Sequence, residues 1–175
     1  MRKYGNMFRV GDCPDDILSN RAGVLDLRML MGNSAVHSDM LMWHKNEKPE
    51  MAALQIISVI FGVMQYSQRL EEMSEEMLKM IKFWTAFMRE HKELLLDAPL
   101  MSYEPQLLYT WAKATSENEC ITVVYTPDKC VKPDMTDIIY IVNGSESKRI
   151  IAEICGEYSA KILNRLGEIL NEKTI

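Results

Sequence analysis

The hydrophobic pattern of this chain changes period near Asp97, and that change limits what it can fold into. Ahead of Asp97, apolar residues recur at helical spacing around short apolar runs. Behind it, "LLYTWAKAT", "CITVVYT", "DIIYIVN", "RIIAEIC" and "SAKILNRLGEIL" are rich in β-branched and aromatic residues. Turn signals such as "SENE", "TPDK" and "NGSES" divide them. The pattern therefore predicts an α/β segment over residues 1–97, followed by an antiparallel β-sheet or sandwich over residues 98–175.

Local signals refine the first segment. Asp12 or Cys13 marks a helix entry, Pro14 suits the first turn, and Asp15 and Asp16 suit the positive end of the helix dipole. Gly32-Asn33 closes that helix, and Gly23 weakens it slightly. "SAVHSDMLMW" predicts a buried strand running out into a loop. A well-buried helix follows from Pro49 to about Gly62, and "VMQYS" forms another short strand. The clearest helix is "SEEMLKMIKFWTAFMREHKELLL". Ser74 is its N-cap, and Met77, Ile81, Trp84, Met88, His91 and Leu95 lie on one face. The order is βαβα, the unit of a parallel sheet or barrel. In the second segment Asn143-Gly144 is a strong hairpin signal.

Composition narrows the function classes. Hydrophobic residues make up 47% of the 175 residues and the net charge is -5, so the chain can build a core and lacks the basic surface that phosphate binding wants. "MAALQIISVIFGVM" is too short to span a bilayer, and the N-terminus lacks a signal-peptide core. Neither nucleic acid nor membrane is expected as a partner. Cys13, Cys120, Cys130 and Cys155 are far apart and form no zinc spacing, so free thiols in a reducing, cytoplasmic compartment are expected. The fourteen methionines fall mainly on apolar helical faces, where they fill the core. No P-loop, dinucleotide fingerprint or Ser-His-Asp order is present, and no cofactor is expected.

The ordered segments "FRVGDCPDDILSNRAGVLDLRMLMGNSAVHSDMLMW", "AALQIISVIFGVMQYSQRLEEM" and "MIKFWTAFMREHKELLL" resemble the C-terminal part of bacterial α-galactosidases of glycoside hydrolase family 36, the melibiases. The resemblance is strongest from Arg9 to Leu96 and loose in the β-rich tail. It implies the last βα units of a (β/α)8 barrel and a C-terminal antiparallel β-domain. A complete barrel takes about 250 residues. Fewer than a hundred precede the β-rich tail here.

Retaining glycosidases use two carboxyl groups, one as nucleophile and one as acid/base. The resemblance implies Asp12 as the acid/base. The nucleophile of the family lies in a Lys-Trp-Asp-like motif on an earlier strand, and this sequence has none. Asp15 and Asp16 would raise the pKa of Asp12, whereas a helix N-terminus would lower it. Arg9 is a candidate for binding a sugar hydroxyl or orienting the carboxylate. Cys13 stands in a Gly-Asp-Cys sequence where many relatives have Ser-Asp-Asp or Ser-Asp-Asn. Its acidic neighbours argue against a reactive thiolate.

His37, Asp39 and Trp43 form a second candidate cluster. Residues two apart share a strand face, so His37 and Asp39 would point together into a cleft, and Trp43 would stack on a sugar. A satisfied histidine and a core tryptophan are the plain alternative. Arg21 is expected in a helix-surface ion pair. The expected partners are an α-galactoside oligosaccharide and either the missing N-terminal barrel segment or further copies of the chain. The expected function is that of the C-terminal fragment of a retaining α-galactosidase-like hydrolase, inactive alone. The alternative is a noncatalytic α/β plus β module that binds sugar or protein.

Overall fold

The computed structural model describes residues 4–11, 16–32 and 34–175. Strand β1 (Met7–Arg9), helix α1 (Ile17–Met31), strand β2 (Ala35–Leu41), helix α2 (Pro49–Ser58), strand β3 (Val63–Tyr66) and helix α3 (Glu75–Glu90) follow in order. A short helix α4 (Lys92–Leu96) ends this α/β part. Strands then predominate: β4 (Leu100–Tyr103), β5 (Trp111–Thr115), β6 (Glu119–Val124), β7 (Cys130–Val131), β8 (Ile138–Asn143), β9 (Ile151–Ala152), β10 (Ser159–Leu163) and β11 (Ile169–Thr174).

The first helix begins later than its acidic run predicts. Asp16 is not inside the first turn but is the N-cap, accepting from the backbone N–H groups of Leu18 at 2.8 Å and Ser19 at 3.0 Å. These bonds hold its carboxyl below the usual aspartate range. Gly32 ends the helix at φ 56, a conformation that favours glycine. Gly23 does more than weaken the helix. An added Cβ there would lie 2.3 Å from Cγ1 of Val10, so the missing side chain lets α1 settle onto the chain leaving β1.

The first sheet is parallel throughout, in the order β1-β2-β3. Crossovers between parallel strands are right-handed. Two successive steps in one direction therefore put α1 and α2 on the same face, and α2 touches both α1 and α3. Phe8 and Val36 are paired residues on the helix-covered face. Arg9, His37 and Val63 are lateral neighbours on the opposite face.

Helix α2 is enclosed. Ala52, Ala53, Ile56 and Ile57 are fully buried, and the helix follows the apolar circumference expected of it. One apolar cluster runs from Val24 through α2 and α3 to Ala112, Ile121 and Val142 of the second sheet. The long helix predicted from Ser74 breaks at His91, which caps both α3 and α4. Its ring lies 4.6 Å from Phe87 and 4.5 Å from Tyr140, and Nδ1 is 3.4 Å from a Glu119 carboxylate oxygen. This tertiary anchor overrides the helical pattern.

The second sheet has the order β4-β5-β6-β8. Its β4-β5 and β5-β6 pairs are antiparallel, but β6 and β8 run parallel, as do β7 and β9. The expectation of a wholly antiparallel sheet is corrected here. Residues 125–137 form a connection long enough for a parallel crossover. The hairpin predicted at Asn143-Gly144 does not form either, because neither residue adopts the positive φ that such turns require. Instead Gly144 passes close to Ile57 and Tyr125, both 3.0 Å from where a Cβ would stand. The antiparallel ribbon β10-β11 completes the tail.

Candidate functional site

Functional groups on parallel β/α units gather at the carboxyl ends of the strands. Asp12 follows the end of β1 by three residues in sequence, but Asp12 and Cys13 lie outside the described residues. What is described is the strand that precedes them in sequence, with its neighbours.

Arg9 ends β1 and sits beside His37 in register. A bulge in β2 between His37 and Met40 breaks the simple alternation on which a shared His37–Asp39 face depends. The Asp39 carboxylate meets the Arg9 guanidinium at 3.1 Å. Asp39 is fully buried, and the same carboxylate oxygen accepts from Met40 N–H at 2.8 Å. Its other oxygen, Oδ2, has no hydrogen-bond partner among the described residues. Charge-assisted bonds are directional, so Asp39 helps to set where Arg9 points. The backbone N–H of Asp39 donates to the Asn20 side chain on α1 at 3.2 Å. His37 Nδ1 is 3.2 Å from Gln65 Nε2 on β3. The exposed face thus carries a row drawn from all three strands: Arg9, His37 and Gln65, with buried Asp39 behind.

Trp43 stands elsewhere. It is 9% exposed, belongs to the apolar cluster and meets Tyr66 edge to face at 6.3 Å between ring centres. Placed so, it offers no open ring face for stacking on a sugar. Arg21 is not in a surface ion pair. It is buried, donates to the Leu108 carbonyl at 3.2 and 2.9 Å, and lies 4.5 Å over the Tyr125 ring. Burial pushes its pKa down from the ordinary arginine value.

Sequence reading missed Asn20 and Gln65. Gln65 had a signal, as a polar residue two places beyond Val63 in an apolar strand. Asn20 had none, because a single asparagine in a helix gives no hint that it will meet a strand amide.

A hollow of about 30 Å³ opens where Ile17 and Asn20 of α1 approach Met40–Met42 and where Gln55 and Ser58 of α2 close the side. It has room for a water but is well short of a ligand pocket, which takes on the order of 300 Å³ or more. Among the described residues, no three His, Cys, Asp or Glu side chains gather as a metal-ligand set. No helix among them is long and apolar enough to cross a membrane. Comparison of the chain with protein-family models, with curated proteins and with solved structures finds no match.

Proposed function

We propose that the chain is the C-terminal part of a retaining glycoside hydrolase resembling family 36 α-galactosidases. In this reading β1-α1-β2-α2-β3-α3 are the last three units of a (β/α)8 barrel and the strand-rich tail is the appended β-domain. The observation that carries it is the one-sided winding of the first sheet. Three consecutive parallel strands keep their helices on one face, and the other face bears Arg9, His37 and Gln65. A barrel has helices outside and strand residues inside, so this is the arrangement its last units would have.

Asp12 is then the acid/base that protonates the leaving oxygen and later activates water. Arg9, held by Asp39, faces the sugar or the Asp12 carboxylate. The nucleophile comes from an earlier strand, so the chain is inactive until an N-terminal barrel segment joins it. Trp43 has no part in substrate stacking in this account.

The test is complementation. The chain is co-expressed with an N-terminal barrel segment from a family 36 enzyme, and hydrolysis of an aryl α-galactoside is followed. The isolated chain should be silent, the pair active, and the pair carrying Asp12→Asn silent. Turnover by the isolated chain, or an Asp12→Asn pair as active as the parent, would refute the reading.

A further inference from the structure

The pair Asn143-Gly144 does not make the hairpin its sequence promises, yet its chemistry remains. When glycine follows asparagine, no Cβ hinders the glycine backbone nitrogen from attacking the asparagine side-chain amide. Here every atom of that reaction is held. Gly144 N–H donates to the Val124 carbonyl at 2.8 Å, at the end of β6. Asn143 Nδ2 donates to the Ser147 carbonyl at 2.7 Å. Asn143 Oδ1 accepts from Ser145 N–H at 3.0 Å and from Ser145 Oγ at 2.8 Å. Ser145 is itself buried, and its carbonyl accepts from the Arg165 guanidinium. The backbone of Gly144 is wedged against Ile57 and Tyr125.

We propose that Asn143 is a fold-gated deamidation site, protected while β8 is joined to β6 and reactive once that end opens. In the step, the Gly144 nitrogen loses its proton to solvent and attacks Cγ of Asn143. The Cγ–Nδ2 bond breaks, and the nitrogen leaves as ammonia after taking a proton. Water then opens the five-membered imide at either carbonyl, giving aspartate or isoaspartate; nothing is oxidised or reduced. The two donors on Oδ1 polarise the carbonyl and favour attack, but the nucleophile faces Val124 and must first leave the sheet. The change is one-way for the fold. A carboxylate oxygen in place of Nδ2 has no proton to give Ser147. Isoaspartate also adds a backbone carbon that moves Gly144 out of register with Val124.

The full chain is incubated at mildly alkaline pH, native and in urea, beside a synthetic peptide spanning residues 139–149. Peptide mapping follows conversion at residue 143, and hydrogen exchange follows the Gly144 amide. Peptide and urea-unfolded chain should convert at similar rates. The native chain should be slower by at least about tenfold, which corresponds to 1.4 kcal/mol of opening free energy. Both reactions need the same opening, so the slowing should match the exchange protection of Gly144. Native conversion at the peptide's rate would overturn the proposal. So would a slowing that differs from the Gly144 protection by more than about tenfold.

Discussion

Replacing Gly167 by alanine tests how the tail is fastened to the helices. Gly167 has φ +86 in the turn between β10 and β11. A Cβ there would lie 2.3, 2.6 and 2.7 Å from Cδ2, Cγ and Cε2 of Phe83, atoms of a ring that α3 holds in place. One response keeps the turn seated. The positive φ then costs the alanine about 1–2 kcal/mol and the crowding about 1–3 kcal/mol. The other response lifts the turn away. That breaks the bond from Trp84 Nε1 to the Arg165 carbonyl, 2.9 Å long, and uncovers Leu166, which packs against the core. The lost bond costs about 1 kcal/mol and the uncovered leucine about 1.5–3 kcal/mol. Both routes fall within about 2–5 kcal/mol, a fall in Tm of about 4–20 °C for a chain of this length. Calorimetry gives the size of the loss. Hydrogen exchange over residues 158–175 tells the routes apart, because the strands of the ribbon are mostly exposed and should lose protection if it peels. A Tm within about 1 °C of the parent, with exchange in the ribbon unchanged, would refute the account of Gly167 as a close-approach residue.

Other outcomes follow from side chains with defined partners. Arg28→Met removes a buried guanidinium that donates to the carbonyls of Leu95, Leu96 and Ala98. Leaving these without a donor should cost about 2–4 kcal/mol, read from denaturant unfolding. Asp39→Ala removes the carboxylate that accepts from Arg9 and from the Met40 amide and should cost about 1–3 kcal/mol, read by calorimetry; an unchanged Tm would show that these bonds do not hold the strand end. The Tyr109 hydroxyl is pushed up to about 12 by burial and by its hydrogen bond to Asp26. The folded state therefore holds this proton more tightly than the unfolded state. Its contribution is full below pH 10 and is lost as pH rises toward 12. Tyr109→Phe should flatten the fall in stability over that window. At the acid side, Lys113 and then Thr115 hold the Asp134 carboxyl below its ordinary value. Its contribution is present above the usual aspartate range and disappears as pH falls through the lowered value, a slope that Asp134→Asn should remove.

The parts of the fold that were legible in sequence have local causes. Ser74 caps α3 by accepting from Met77 N–H, as its position before two glutamates predicts. Gly32 ends α1, "VMQYS" holds β3, and the shift from α/β to strands falls between Leu96 and Leu100. What was not legible depends on distant partners. The three-residue strand β1 exists because β2 offers it a ladder, and Met-Phe-Arg alone carries no period. The parallel pairing of β6 with β8 is decided by where residues 125–137 run, and strand composition does not record direction. Arg21 looked like a surface cation because its carbonyl acceptor lies 87 residues away. In the candidate site, His37 and Asp39 could be picked out as polar residues in an apolar strand. The bulge that sends Asp39 to Arg9, and the core position of Trp43, could not.

Helix α1 also has a mechanical consequence. Arg21 grips the Leu108 carbonyl, Asp26 takes the Tyr109 hydroxyl and Arg28 gathers the carbonyls around Leu96 and Ala98. The Arg21 and Asp26 clasps bridge the junction at residues 97–99 from one rod, and Arg28 holds the junction itself. A protease nick at that junction would therefore leave two polypeptides still buckled together, migrating as one particle until denaturant opened the clasps.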